Sequence, residues 1–458
     1  LFAKLRAYGS VPHCAESFRA FWVFQYMGRS FGEYTPGWPL FMTPLVLIGA
    51  PWIAGPASLG LLAAGVMRLG RRAATGFSEG DSPPKAEAVL LAGRLAALAL
   101  VLSPTILLNG AARLSHVFVA ATFAWSVEAL CTVADAGLPA RRQWLWGVAL
   151  GLAAGLMLAA RPLDGGTLGL GLLLYFVYAA RRGRVGWRAI SGATSAFGVI
   201  GAATLVILRL QLGRWFTTGY SLTGVVYPWA NFGWSVPGAD GFKWGFPIAC
   251  GSYWWWPCSP AVALLGLTAL RGRARRLGFI FLLSCCALFV AYTLSEFGRK
   301  LTLGYGPRYQ LPSMVPMAVG TGVVLARLLA AARARGPGPD GPRSMGPASL
   351  ALAAALLGVL RIAPMVYPDA YAALMHHNWV RVALGRLDLH NAVVFVGRGD
   401  TTDPLYATEN MPLDLYPPAD VLFAIDLGPE AARCVREDYP DRSFYRALFG
   451  HPPQIAPY

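Results

Sequence analysis

Charged residues are scarce in this sequence. Asp, Glu, Lys and Arg make up 14% of 458 residues, against about 25% in soluble globular chains. No Gly-rich phosphate loop or Walker motif occurs. That excludes an ATP-driven pump and a nucleotide-linked substrate held in a dinucleotide-binding domain. The seven cysteines fall at no metal-ligand spacing. Acidic residues are also short: 23 against 39 Lys and Arg, for a net charge of +16. In a soluble chain that excess would point to nucleic acid. Here the arginines sit in short loops between apolar runs, so nucleic acid is not an expected partner. Membrane topology and anionic lipid headgroups explain the charge better.

What is abundant is apolar sequence, 55% of the chain. It is gathered mostly in runs of roughly 17–24 residues, the length that crosses a hydrocarbon core of about 30 Å. The expected spans are 54–70, 88–106, 114–136, 143–160, 165–180, 189–210, 259–271, 277–296, 311–332 and 346–364. Alternate loops are basic: Arg71, Arg72 and Lys85; Arg141 and Arg142; Arg181, Arg182, Arg184 and Arg188; Arg271, Arg273, Arg275 and Arg276; Arg333, Arg335 and Arg343. With ten spans all five fall on one side, which the positive-inside rule makes cytoplasmic. The fold class expected is a mainly α, polytopic membrane protein of the bacterial inner membrane. Three regions are expected: a first periplasmic loop at 1–53, a helical domain at 54–366, and a small periplasmic α/β domain at 367–458.

Residues 38–50 are apolar but too short to cross, so an interfacial or re-entrant helix is expected there. The loop 211–258 is rich in Trp and Tyr. It reads either as an aromatic belt at the headgroups or as a stacking platform for a sugar or polyprenyl chain. After Tyr367 the charges become evenly spread. The runs Asn391–Gly397 and Asp420–Ile425 read as buried strands, and Pro429–Asp438 as a helix with Pro440 beyond it. Cys131, Cys285 and Cys286 lie in apolar runs and read as small core residues. Cys250 and Cys258 share one non-cytoplasmic loop and are the pair considered for a disulfide.

Polar residues at one membrane edge are the best pointer to function. On the periplasmic side these are Glu16, Glu33, His116, Arg161 with Asp164, Glu296, and the run from Arg299 and Lys300 to Arg308 and Tyr309. Arg299, Lys300 and Arg308 lie on the side that the positive-inside rule disfavours. A phosphate or pyrophosphate would compensate them; snorkelling to headgroups is the alternative. His116 reads either as a hydrogen-bonded structural residue or as part of a site mouth. Arg161 and Asp164 read as a structural pair or a headgroup contact. Inside the spans Arg94 and Glu128 are the main charges and form no ladder, which disfavours a transporter.

These segments, in order GEYTPGWPL, GPASLGLL, LSHVF, ARPLDGG, GPRYQLP and DLGPEAARCVREDYPDRSFYR, resemble the bacterial membrane glycosyltransferases of the GT-C fold. The likeness is to the group related to protein O-mannosyltransferases and the lipid A aminoarabinose transferase. It covers most of the chain. The resemblance implies transfer of a sugar from a polyprenyl-phosphate donor to a lipid, glycan or protein acceptor on the periplasmic face. Arg308 and Tyr309 match the family's Arg–Tyr at the donor phosphate, with Arg299 and Lys300 nearby; His116, Arg161 and Asp164 fall at the site mouth. The family's base is an acidic residue, commonly Asp followed by Glu, just after a first span. This chain has no Asp before Asp81 and begins at Leu1. The base is therefore expected upstream of Leu1, with Glu16 and Glu33 as weaker candidates. No cofactor is called for, and the sequence leaves a divalent metal open. A lipid-linked-sugar flippase and a non-catalytic relative are the alternatives.

Overall fold

The structure is a computed structural model. It describes the chain outside residues 1–8, 11–12, 15–16, 18–22, 27, 33–34, 76–85, 112–113, 136, 219–259, 269, 295–307, 335–359, 361–362, 365–388, 398–419 and 449–453. Two compact units emerge: one of residues 1–34, 205–223 and 369–458, the other of 35–204 and 224–368.

The larger unit is helical. It contains α1 (Gly37–Leu47), α2 (Ala54–Ala74), α3 (Ala86–Val101), α4 (Pro104–Ala111), α5 (His116–Val133), α6 (Ala140–Ala160), α7 (Pro162–Arg181), most of α8 (Trp187–Leu212), α9 (Pro260–Thr268), α10 (Arg275–Leu294) and α11 (Met314–Ala334). Among the described residues seven helices are long and apolar enough to cross a membrane, or eight if the bent pair α3–α4 is one span. α5 is the hub: 94% of it is buried, and it packs against α2, α6, α7 and α10. The outer helices present apolar side chains outward, with Leu173 57% and Leu282 61% exposed. An exposed apolar surface of that extent belongs in lipid, not water.

Several expectations change in detail. The run 88–106 is not one straight helix: it breaks before Pro104, and α4 leaves α3 at 68°. Proline lacks the amide and collides with the preceding turn. α1 is present where a short apolar helix is expected; its 11 residues extend about 16 Å, half a hydrocarbon core. Cys131 is buried, but Cys286 is exposed on α10 and is not a core residue. Cys250 and Cys258, the aromatic loop from residue 219, and the span 346–364 apart from residue 360 and residues 363–364 lie outside the described residues.

The smaller unit holds two sheets. A three-stranded antiparallel sheet joins β1 (Gly9–Ser10), β3 (Arg29–Gly32) and β2 (Val23–Tyr26) in that order. The second runs β5 (Val421–Ile425), β4 (Ala392–Val396), β6 (Ser443–Leu448), β7 (Gln454–Pro457). β4 is parallel to both neighbours, and all five of its residues are buried, as a central parallel strand requires. α12 (Pro429–Asp438) packs Ala432 and Val435 against Val393, Phe395 and Leu422. Pro429 at its first position supplies the helical φ without needing a hydrogen bond. A disulfide joins Cys14 to Cys434, and Ile425 N donates to Ser17 O at 2.7 Å. The N-terminal segment is thus part of this domain, pinned to α12 and to β5.

Candidate functional site

Helix ends bring the site together. α6 stops at Ala160 because Arg161 is extended (φ −149°, ψ 96°) and Pro162 follows; a residue before proline is driven out of the helical region. α7 restarts at Pro162, which puts Asp164 in its first turn, where the helix dipole favours an acid. The reversal is tight. A Cβ on Gly165 would lie 2.4 Å from the Leu158 Cα, so only glycine admits this approach of α7 to α6.

Asp164 is 1% exposed and Arg161 9%. Arg161 Nε donates to Asp164 Oδ2 at 2.5 Å. Tyr292, near the end of α10 and 2% exposed, donates its hydroxyl to Asp164 Oδ1 and accepts from Arg161 at 3.4 Å. The third neighbour of Arg161 is His116, the first residue of α5, 3.5 Å from its guanidinium at Nε2. Arginine can only donate. Nε2 is therefore the accepting nitrogen, and the neutral ring carries its proton on Nδ1. That atom is buried and without a partner among the described residues.

Tyr309 sits at the centre. It lies in the 3₁₀ turn Arg308–Ser313 that leads into α11. Arg161 lies 5.3 Å from its ring centroid and Arg308 5.1 Å, both as cation–π contacts. The His116 ring meets it edge-on at 5.2 Å, and Tyr292 lies 5.2 Å away. Arg308 donates to the Tyr309 hydroxyl at 3.2 Å. The two arginines differ: Arg161 is neutralised by Asp164, whereas Arg308 has no carboxylate partner among the described residues. Among the described residues the site therefore holds one spare positive charge, beside two phenols and an imidazole.

Of the residues singled out from sequence, His116, Arg161, Asp164, Arg308 and Tyr309 come together. Glu16, Glu33, Glu296, Arg299 and Lys300 lie outside the described residues. Tyr292 was missed. Its signal is a phenol in the apolar run that ends VAYTL, where a buried hydroxyl needs a partner.

Fold and site together define a multi-pass membrane protein with a cationic, aromatic cluster at one end of its helical bundle. No protein-family model matches the chain, and no curated protein sequence matches it. Solved structures do. ArnT from Cupriavidus metallidurans bound to undecaprenyl phosphate aligns at 15% identity, covering 97% of this chain and 90% of that one, with a TM-score of 0.49. The apo state of the same protein aligns at 16% identity over 96% and 86%, with a TM-score of 0.47. The apo oligosaccharyltransferase of Archaeoglobus fulgidus aligns at 14% identity over 88% of this chain and 54% of that one, with a TM-score of 0.38. At these levels of likeness, function has to be read from the chain's own residues.

Proposed function

We propose that the chain is a membrane glycosyltransferase that moves a sugar from a polyprenyl-phosphate donor to a lipid, glycan or protein acceptor. The observation that carries this reading is Arg308, a guanidinium without a carboxylate partner among the described residues, held against Tyr309 at the end of a membrane bundle. Arginine pairs with two phosphate oxygens at once, and a lipid phosphate is the group proposed to meet it. The resemblance in the order of LSHVF, ARPLDGG and GPRYQLP supports the same reading.

In the proposed reaction a carboxylate removes the acceptor's hydroxyl proton. The acceptor oxygen forms a bond to the anomeric carbon, the bond from that carbon to the lipid phosphate breaks, and the phosphate leaves with the electron pair. A single displacement of this kind inverts the anomeric centre. Charge grows on the leaving phosphate, and Arg308 stabilises it there, where fixed charges contribute most to rate. Arg299 and Lys300 are proposed to assist. The Nδ1 hydrogen of His116 is placed to donate to a phosphate or sugar oxygen. Asp164 is already committed to Arg161 and Tyr292, so it positions Arg161 and is not the base. Glu16 and Glu33 are the candidates within this sequence for that role. The donor is proposed to enter from the periplasmic face of the inner membrane, and residues 367–458 are proposed to be an extramembrane domain.

The test is transfer from a radiolabelled polyprenyl-phosphate sugar in proteoliposomes. Arg308→Ala is expected to lower turnover at least about 100-fold, the scale of losing one transition-state donor. Unchanged turnover would remove Arg308 from the mechanism, and label crossing the bilayer without transfer would make the protein a flippase.

A further inference from the structure

The end of the bundle away from Tyr309 holds a polar pocket of about 410 Å³. Arg68, Arg71 and Arg72 of α2, Glu128 of α5, Asp135 just beyond it and Arg276 of α10 line it. Twelve residues of α5 separate Glu128 from His116, about 18 Å of helix, so the two clusters are distinct.

Among the described residues, the charges in this pocket do not balance. Glu128, with its side chain 3% exposed, takes Arg68 at 3.2 Å and Arg72 at 3.0 Å. Asp135 takes Arg72 at 2.5 Å and Arg276 at 3.6 Å. Both acids are thus shared between arginines, and four guanidinium groups face two carboxylates. Arg71 has no carboxylate among the described residues. Its Nη2 reaches only the Met67 sulfur at 3.5 Å, and its Nε is buried without an acceptor. The position of Arg71 is built in: a Cβ on Gly93 of α3 would lie 2.6 Å from the Arg71 Cγ, so the glycine makes room for this stem against α3. Arginines that only snorkel spread toward water. Here they are drawn around one cavity, with about two positive charges in excess among the described residues.

We infer that this pocket binds a phosphate group, carried by an anionic lipid headgroup or free in solution. Guanidinium forks match phosphate oxygens in pairs, and basic pockets between membrane helices take phosphorylated headgroups. Arg71 is the anchor, because its fork is not engaged by an acid; Arg68 and Arg276 close the cavity around the bound group. The inference does not depend on the transferase reading.

The experiment uses the full chain, delipidated in uncharged detergent at constant ionic strength, with thermal unfolding as readout. Phosphatidylglycerol, phosphatidylcholine and inorganic phosphate are titrated separately. Phosphatidylglycerol is expected to raise the midpoint, with an apparent affinity that falls roughly tenfold in Arg71→Gln, the loss of one charge-assisted hydrogen bond. Arg71→Gln breaks no ion pair among the described residues, so it should fold; Arg68→Gln is the second variant and should weaken binding as well. A response to inorganic phosphate as well as to phosphatidylglycerol assigns the site to phosphate itself, and a response to phosphatidylglycerol alone assigns it to a headgroup. The inference is overturned by no response at all, as would follow if Glu79 and Asp81 beyond Thr75 supplied the missing charge. It is equally overturned by a response that Arg71→Gln leaves intact and Arg308→Ala removes.

Discussion

Arg161 and Asp164 stand three residues apart on either side of a helix start and bond to each other at 2.5 Å in a buried setting. This pairing separates a neutralised arginine from one that no acid meets among the described residues. Asp164 cancels Arg161 and, through Tyr292, ties α7 to α10, whereas Arg308 has no carboxylate partner among the described residues.

Breaking that pair should therefore cost stability. Asp164→Asn leaves a buried guanidinium uncompensated and is expected to destabilise by about 3 kcal/mol. The double variant Arg161→Met, Asp164→Leu should lose less than either single change, because no buried charge is stranded. Tyr292→Phe removes one hydroxyl and should cost about 1 kcal/mol. Thermal unfolding in detergent orders these proteins, with Arg161→Met alone as the second single variant. A double variant weaker than both singles would contradict the pairing.

The Cys14–Cys434 bond closes a loop across 420 residues of sequence. A non-reducing peptide map should recover these two cysteines in one crosslinked species. Reduction, or Cys434→Ser, should lower the stability of the domain that contains them by about 2–4 kcal/mol. Two free thiols in the non-reduced protein would refute the link.

Asp420 gives the same domain a pH dependence. The Asn391 amide, at 2.7 Å, and then His390, at 2.6 Å, hold its carboxyl below the usual carboxylate range. A carboxyl depressed in the folded state adds stability that is fully present above its unfolded value and is lost as pH falls through its folded value. Unfolding of the protein between pH 5 and about pH 2 should thus lose a component that Asp420→Asn lacks. Parallel acid limbs for the two proteins would deny Asp420 this role.

Much of this was legible before the structure. His116 opens α5, Pro429 to Asp438 forms a helix, and both C-terminal strands fall where short apolar runs predict them. Each depends on local chemistry: a proline at a helix start, or a run of apolar residues between polar ones. The convergence of His116, Arg161, Asp164, Arg308 and Tyr309 was legible through sidedness, since alternate helix ends must lie at the same level. What was not legible was long range. Cys14 could not be matched to Cys434 by spacing, and the outward face of Cys286 depends on the rotation of α10. Tyr292 is one phenol in a largely apolar helix, with its acid partner 128 residues away. The bend before Pro104 was readable in principle, but an unbroken hydropathy run concealed it.

The most direct measurement compares undecaprenyl phosphate with undecaprenol, the same chain without its phosphate, in binding to the purified protein and to Arg308→Ala. The account predicts that the wild type prefers the phosphate by about tenfold or more, the worth of one charge-assisted hydrogen bond, and that Arg308→Ala binds the two lipids alike. Equal binding of both lipids by the wild type, or a preference untouched by Arg308→Ala, would contradict it.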